Sequence, residues 1–139
     1  MVHNLGETNS IFNQYMAEIR DIYIQGDMLR FRRNLERIGA LLAYEISKDL
    51  DYKITDVQTP LGVAKVPILQ SNIVLATILR AGVPFHQGML NVFDKAESAF
   101  ISAYRKHNKD GTFKIKLEYM AKPDLKDKIL ILSDPMLAT

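Results

Sequence analysis

Cysteine is absent from the 139 residues of the sequence. Its absence excludes a disulfide framework, a zinc site built on cysteine and a thiol nucleophile, and it is compatible with a reducing compartment. Charge of one sign is also scarce, because the formal net charge is only +2 at pH 7. Proteins that bind a phosphate backbone usually concentrate far more lysine and arginine, so nucleic acid is not an expected partner.

Long apolar runs and a secretory signal are missing as well. The first ten residues, MVHNLGETNS, have neither the basic start nor the apolar stretch of a signal peptide. The uninterrupted apolar runs are far too short to cross a bilayer. An apolar fraction of 47% and a charged fraction of 24% are typical of soluble globular proteins. We therefore expect a cytoplasmic protein without a membrane partner, folded as one domain over residues 1–139.

Helical periodicity dominates about residues 1–50. Apolar residues recur at helical spacing over residues 10–25, and Gly26 interrupts the pattern. Asp27 is well placed to cap a second helix, whose apolar residues step by three or four positions along one face. The apolar residues of this second helix are Met28, Phe31, Leu35, Ile38, Leu42 and Ile46. Two N-terminal helices are therefore predicted ahead of the rest of the chain.

Strand patterns dominate about residues 51–139. Apolar runs without alternation predict three strands that are buried on both faces, at residues 73–79, 99–104 and 129–132. Residues 83–94 predict a helix between the first two of these strands. Strand, helix and strand within about thirty residues form a βαβ unit. The expected fold class is therefore α/β, with a parallel sheet flanked by helices.

Two segments have the chemistry of β-hairpins. Residues 52–67 predict two short strands, joined by a turn at residues 59–62. Residues 109–112, which read KDGT, predict a second hairpin, followed by a strand at residues 113–119. The simplest interpretation of Asp110 and Gly111 is a tight turn at the tip of this second arm.

Charged residues follow each of the three buried strands. The strands are predicted to end at Arg80, Arg105 and Asp134, and ligands of open α/β sheets bind outside the carboxyl ends of the strands. Two guanidinium groups suit a phosphate or diphosphate, and a carboxylate suits sugar hydroxyls or magnesium carried by the phosphate. Ala138 and Thr139 have the small size that a phosphate loop needs. The alternative is that each charged residue only marks where its strand re-enters water.

Three short sequence motifs in these segments resemble one protein family. LRAG at residues 79–82, YR at residues 104–105 and DPMLAT at residues 134–139, in this order, resemble the uracil phosphoribosyltransferases. The resemblance extends over residues 28–139. It implies the type I phosphoribosyltransferase fold, here with N-terminal helices and a β-hairpin arm and incomplete at the C-terminus. It also implies an enzyme of pyrimidine salvage, a pentosyltransferase that transfers 5-phosphoribosyl from phosphoribosyl diphosphate (PRPP) to uracil and yields UMP and diphosphate.

Site residues follow from the resemblance alone. It implies that Arg80 lies in the loop that holds the diphosphate and that Arg105 also contacts PRPP. The first half of the PRPP loop would be Asp134, Pro135, Met136, Leu137, Ala138 and Thr139, with Asp134 facing the ribose hydroxyls. Magnesium would be bound mainly through the diphosphate and ribose oxygens, so no protein side chain is assigned as a metal ligand. No general base is required, and no catalytic residue is assigned.

Part of the family pattern is not found in this sequence. In the family, the loop continues with two glycines and a hydroxyl residue, and a later segment binds uracil. We therefore expect these 139 residues alone not to catalyse the transfer reaction. The alternative function is a non-catalytic module for PRPP sensing or for dimerisation. The family also implies a homodimer or a higher homo-oligomer, with the Asp110–Gly111 arm reaching towards the partner subunit.

A cluster of arginines and two histidines allow more than one interpretation. The cluster comprises Arg30, Arg32, Arg33 and Arg37. It could bind GTP, which activates some members of the family, or form a solvated helix face partly paired with Glu36. His86 and His107 are predicted to be surface or interface residues, because no second ligand lies at metal spacing. Three apolar residues are predicted to pack their helix onto the sheet, namely Phe85, Met89 and Phe93.

Overall fold

The structure is a computed structural model that describes residues 2–107 and 112–135. A 3₁₀ turn at Leu5–Glu7 precedes helix α1, Ile11–Arg20, and helix α2, Met28–Ser47. The predicted cap of α2 is confirmed, because the Asp27 carboxylate accepts hydrogen bonds from the backbone N–H groups of Leu29 and Arg30, at 3.1 and 3.0 Å.

Helix α1 is shorter than the periodicity predicted. It ends at Arg20 rather than near Gln25, because the Asp21 carboxylate accepts a hydrogen bond from the backbone N–H of Tyr23, at 2.8 Å. Such a local bond offers the backbone an alternative to the helix. The chain then makes turns up to Asp27, although its apolar residues keep helical spacing.

Six strands and a third helix make up the rest of the described chain. In order these are β1 (Tyr52–Thr59), β2 (Gly62–Leu69), β3 (Ile73–Leu79), α3 (Val83–Leu90), β4 (Glu97–His107), β5 (Phe113–Ala121) and β6 (Ile129–Ser133). Strands β1 and β2 form the predicted antiparallel hairpin, in which Thr59 pairs with Gly62. Gly62 has φ +131°, a value that favours glycine at this turn.

The other strands form one sheet in the order β5-β4-β3-β6. Strand β3 runs parallel to both β4 and β6, which confirms the predicted βαβ unit and parallel sheet. Strand β5 pairs with β4 in antiparallel orientation, as the hairpin arm predicted. The tip of that arm, with Asp110 and Gly111, lies outside the described residues.

Strand β4 differs from its prediction in length. It continues through Arg105 to His107, so the prediction that it ends at Arg105 is wrong. The reason is its partner, because β5 pairs with β4 beyond the parallel sheet, with Arg105 opposite Ile115. A strand that already has an antiparallel partner does not have to end where its parallel neighbour ends.

Helix α3 and strand β6 also differ from their predictions. Helix α3 ends at Leu90 instead of residue 94, and turns then return the chain towards β4 while Phe93 stays buried. Strand β6 is not buried on both faces, since Leu130 and Leu132 are 46% and 58% exposed. Within the described residues, β6 pairs with β3 alone.

The core has two parts, one on each face of β3. On one face, Ile73 and Leu75 pack with apolar residues of the helices, including the predicted packing residues Phe85 and Met89, and with Phe93, which follows α3. On the other face, Val74 and Ala76 pack with Ala99 and Leu125. The prediction that β3 is buried on both faces is therefore confirmed. This central strand also delivers the chain to Arg80.

Helices α2 and α3 approach with their backbones in contact. A Cβ atom on Gly88 of α3 would lie 2.7 Å from the carbonyl carbon of Glu36 and 3.0 Å from the backbone nitrogen of Ala40, both in α2. In return, a Cβ atom on Gly39 of α2 would lie 3.1 Å from the carbonyl carbon of Phe85. Glycine on each helix therefore permits this distance, which fixes α3 beneath the turn that carries Arg80.

Candidate functional site

The carboxyl ends of β3 and β6 form one edge of the sheet. Thr77 of β3 pairs with Ser133 of β6, and Asp134 is the first residue after β6. Arg80 is the first residue after β3, three positions beyond Thr77. Because the two strands are parallel neighbours, Arg80 and Asp134 leave the sheet at the same edge. Two of the predicted site residues are therefore brought to one side of the molecule.

Arg105 lies further out than predicted. Leu79 pairs with Ser102, so Arg80 follows at the level of residue 103, and Arg105 lies two residues beyond that level. At about 3.3 Å per residue, this places the backbone of Arg105 roughly 7 Å further along β4. Arg105 is thus carried by the antiparallel arm and does not follow a strand end. The remaining predicted residues Met136, Leu137, Ala138 and Thr139 lie outside the described residues.

The turn after β3 holds Arg80 at the surface. The backbone N–H of Gly82 donates to the carbonyl of Ile78 at 3.1 Å, and that of Val83 donates to the carbonyl of Arg80 at 3.3 Å. Helix α3 begins at once, with a proline in its first turn. Arg80 is exposed while Gly82 is buried. The guanidinium group therefore extends from a short turn anchored on both sides, next to a helix N-terminus, which favours anions.

Two buried hydroxyl groups join the ends of β3 and β6. Thr77 Oγ1 donates to the carbonyl oxygen of Ser133 at 3.3 Å, and Ser133 Oγ donates to the carbonyl oxygen of Ala76 at 3.1 Å. Both side chains are buried. The sequence analysis did not single out these residues. A signal was present, since each is the one hydroxyl residue in its apolar strand, IVLATIL and ILILS.

Three arginines on the arginine-rich face of α2 have side-chain partners, and the face is exposed. Arg33 lies 2.8 Å from Glu36, and Arg30 lies 3.4 Å from Glu18. Arg37 donates to Asn34 Oδ1 at 3.0 Å. These pairs favour the interpretation of a solvated helix face over that of a nucleotide site. A cavity of about 330 Å³ borders this face, and its lining is Arg33, Glu36, Arg37, Ala40 and Asn91.

A second cleft of about 760 Å³ lies between the N-terminal segment and the C-terminal half of α2. Its lining includes Leu5, Phe12, Leu42 and Tyr44, and none of it comes from the strand ends. The cleft contains no arginine. The volume of this cleft alone therefore does not identify it as a functional site.

His86 is buried inside the chain, so the prediction of a surface or interface residue is wrong for it. Its side chain is only 4% exposed, because α3 presents it to β4. Nε2 lies 3.1 Å from Ser98 Oγ, and the ring centroid lies 5.1 Å from that of Phe100. Burial lowers the pKa of His86 below its ordinary value of 6.5. The side chain of His107 is outside the described residues.

Residues 2–107 and 112–135 hold neither a cluster of metal ligands nor a helix able to span a membrane. No three histidine or acidic side chains in these ranges come together as a metal-binding group. Within the same ranges, no helix combines the length and the apolar character needed to span a bilayer.

The fold and the charged sheet edge define an α/β protein with a parallel sheet of the phosphoribosyltransferase type, and the comparisons agree. The protein-family model described as uracil phosphoribosyltransferase matches residues 7–139. A uracil phosphoribosyltransferase of Porphyromonas gingivalis is 55% identical over 138 residues, which is 99% of this chain and 64% of that protein. One of Methanothermobacter thermautotrophicus is 43% identical over 115 residues, covering 81% of this chain and 53% of that protein.

A solved structure supports the same fold. The AQ2163 protein from Aquifex aeolicus matches 100% of this chain and 64% of its own length, with 32% sequence identity and a TM-score of 0.78. The chain therefore belongs to the uracil phosphoribosyltransferase family. It spans about 64% of the length of the Porphyromonas relative.

Proposed function

We propose that the protein transfers the 5-phosphoribosyl group of PRPP to N1 of uracil and produces UMP and diphosphate. The observation that carries this proposal is the exit of Arg80 and Asp134 from neighbouring parallel strands at one sheet edge. Membership of the uracil phosphoribosyltransferase family supports it. The described residues supply the side of the site that would face PRPP.

Arg80 has the chemistry to bind the diphosphate of PRPP. Its guanidinium group offers a planar fork of donors and keeps its charge at every physiological pH. Displacement at the anomeric carbon builds negative charge on the departing diphosphate. A fixed cation stabilises that charge more in the transition state than in the ground state. The short turn of residues 80–82 would keep the cation in place during this step.

Asp134 would accept hydrogen bonds from the ribose hydroxyls of PRPP. Its position after β6 is held by the buried Ser133. Arg105, on the antiparallel arm, would approach PRPP from further out, as a second cationic contact. Residues 135–139 would continue as the first half of the PRPP loop.

The chemistry of this sheet edge is compatible with magnesium that binds together with PRPP. Mg²⁺ in such sites usually keeps several waters and is bound largely through substrate phosphates, and here the diphosphate and ribose oxygens of PRPP would supply most of its ligands. When bound with the diphosphate, the ion would neutralise part of the leaving-group charge. A homodimer or higher homo-oligomer, activation by GTP and a cytoplasmic location stay predictions.

PRPP binding is the first test. We expect the chain to bind Mg²⁺–PRPP in isothermal titration calorimetry, and Arg80→Ala to weaken binding about 10- to 100-fold, the equivalent of one charge-assisted hydrogen bond. Asp134→Asn should weaken binding less, because the amide can still accept from a hydroxyl. Arg20→Ala is the matched control, since this arginine ends α1 away from the sheet edge, and it should leave the affinity unchanged.

Turnover is tested by joining the chain to the part of the Porphyromonas protein that the match does not cover. Uracil-dependent formation of UMP by this fusion, abolished by Arg80→Ala, is the expected result. PRPP binding without UMP formation by the fusion would favour the non-catalytic sensor instead. Dimers that show no PRPP binding would favour a dimerisation module and contradict the proposal.

A further inference from the structure

A buried polar contact lies directly beneath the proposed site. Thr77 is completely buried, and its hydroxyl donates to the carbonyl oxygen of Ser133 at 3.3 Å. That carbonyl belongs to the peptide group that joins Ser133 to Asp134. A hydrogen bond to it fixes the plane of this peptide, and therefore the direction in which Asp134 leaves β6.

The same hydroxyl also touches the turn that carries Arg80. A Cβ atom added to Gly82 would overlap Thr77 Oγ1 and would lie 2.7 Å from the carbonyl oxygen of Ile78. The turn of residues 80–82 therefore rests against Thr77, with no space for a side chain at Gly82. One buried side chain thus contacts both chain segments of the proposed site.

Packing alone does not explain a threonine at this position. Valine has nearly the same shape and avoids the cost of burying a hydroxyl group, which is favourable only when the hydroxyl is hydrogen-bonded. The Thr77–Ser133 pair is also the last pair of the β3–β6 ladder. Within the described residues, no backbone pair between β3 and β6 follows it. The hydrogen bonds of the Thr77 and Ser133 hydroxyl groups therefore lie where backbone pairing ends.

We propose that Thr77 is a positioning residue that holds the Arg80 turn and Asp134 in a fixed relative arrangement, with Ser133 as its partner. The expected consequence, that this arrangement strengthens the binding of PRPP, rests on the proposed function. The structural part of the inference does not depend on that function, because it concerns the two segments in the free protein. Thr77 contacts neither substrate nor the reacting atoms.

Hydrogen–deuterium exchange and PRPP titration on the same variants test the inference. In Thr77→Val, we expect the segment of residues 129–135 to exchange about fivefold faster and the PRPP affinity to fall about fivefold. The segment of residues 80–82 should be unchanged, because valine keeps the contact with Gly82. Thr77→Ala should accelerate exchange in both segments, and Thr77→Ser should restore residues 129–135 to within about twofold of the natural chain.

Controls separate positioning from general stability. Thr55→Val removes an exposed threonine hydroxyl that donates to the carbonyl oxygen of Lys53 at 3.3 Å on β1, and it should change neither readout. Ile38→Val lowers stability through the helical core and should leave PRPP affinity unchanged below the melting temperature. Ser133→Ala removes the reciprocal bond without adding volume, and it should also accelerate exchange at residues 129–135.

Two results would overturn the inference. Equal exchange of residues 129–135 in the natural chain, Thr77→Val and Ser133→Ala would exclude a positioning role, whatever the PRPP affinity. A loss of affinity in Ile38→Val as large as that in Thr77→Val would assign the effect to stability. Faster exchange in the variants of a chain that does not bind PRPP would instead contradict the proposed function and leave the positioning role supported.

Discussion

At the scale of the residue, Asn34 is the polar centre of the contact between α1 and α2. It is fully buried, and its Nδ2 donates to Glu18 Oε2 at 2.7 Å, while its Oδ1 accepts from Arg37. Glu18 also accepts from Gln14 at 3.2 Å. These hydrogen bonds, that from Asn34 first, lower the pKa of the Glu18 carboxyl group. One amide therefore connects a carboxylate of α1 with an arginine of α2.

Replacing Asn34 tests this contact. We expect Asn34→Ala to lower the free energy of unfolding by about 2 kcal/mol, because a buried amide and two hydrogen bonds are lost. Gln14→Ala is the control, since it removes an exposed donor to the same carboxylate and should change stability by less than about 0.5 kcal/mol. Urea unfolding followed by circular dichroism measures both. Equal effects of the two substitutions would contradict a special role for Asn34.

Residues at chain exits were easier to predict than polar residues in the core. Asp27 follows a turn and Arg80 and Asp134 follow apolar strands, so local sequence was enough to single them out. Thr77 and His86 lie inside apolar segments. Their roles depend on partners 56 positions away in one case and 12 in the other, which local pattern does not contain.

At the scale of the element, the backbone contact between α2 and α3 is the least tolerant part of the helical layer. Gly88 meets the backbone of α2, which is not able to move as a flexible side chain does. Helix α3 begins two residues after Ala81 in the turn that carries Arg80. A displacement of α3 would therefore shift the proposed site as well as the core.

Alanine at Gly88 tests this contact. We expect Gly88→Ala to destabilise the fold by about 3 kcal/mol or more, because the added Cβ would overlap the backbone at Glu36. Gly26→Ala is the matched control, since nothing lies within 4 Å of a Cβ atom there, and it should be neutral or slightly stabilising. Differential scanning calorimetry compares the two. A Gly88→Ala chain as stable as Gly26→Ala would show that the helices can separate at little cost.

The types of the elements were predicted correctly, and their ends less so. Apolar periodicity identified the helices, uninterrupted apolar runs identified β3, β4 and β6, and turn chemistry identified the strands of the two hairpins. The ends depended on features outside the pattern, such as the Asp21 hydrogen bond that stops α1 and the β5 partner that extends β4 past Arg105. Because of this extension, Arg105 lies on the antiparallel arm and not at the sheet edge where it was predicted.

At the scale of the whole molecule, stability near neutral pH should depend on His86. Its pKa is lowered by burial, so the unfolded chain binds a proton at a higher pH than the folded chain. The stability contributed by the neutral ring is complete above the ordinary pKa of 6.5 and is lost as pH falls below it. Glu18 and Asp27 have lowered pKa values, so their contributions are lost only in more acidic solution.

The pH dependence of unfolding tests this assignment. Between about pH 7.5 and 5, we expect the free energy of unfolding to fall more steeply in the natural chain than in His86→Gln, which does not titrate and keeps a donor near Ser98. Other groups titrate equally in both chains and cancel in the difference. Urea unfolding at a series of pH values gives the two slopes. Parallel curves would show that His86 does not control the acid sensitivity.

The topology was predictable because it follows from connection lengths and burial. A helix between two apolar strands favours a parallel pair, and β3 is buried on both faces as its uniform run predicted. The exposed face of β6 was not predictable. An apolar run such as ILIL indicates that a strand favours burial, but it does not indicate what covers the strand.

The β1–β2 hairpin separates, along the chain, the two helices that contact most closely. Its own pairs, from Tyr52–Leu69 to Thr59–Gly62, are all local, whereas the α2–α3 contact joins residues 36–40 with residues 85–88. Bringing those helices together therefore closes a long loop of chain, and the hairpin lies within that loop. Each doubling of a loop costs only about 0.6 kcal/mol, and Leu61 at the turn is 100% exposed. A longer turn at this position would therefore add little to the free-energy cost of bringing α2 and α3 together.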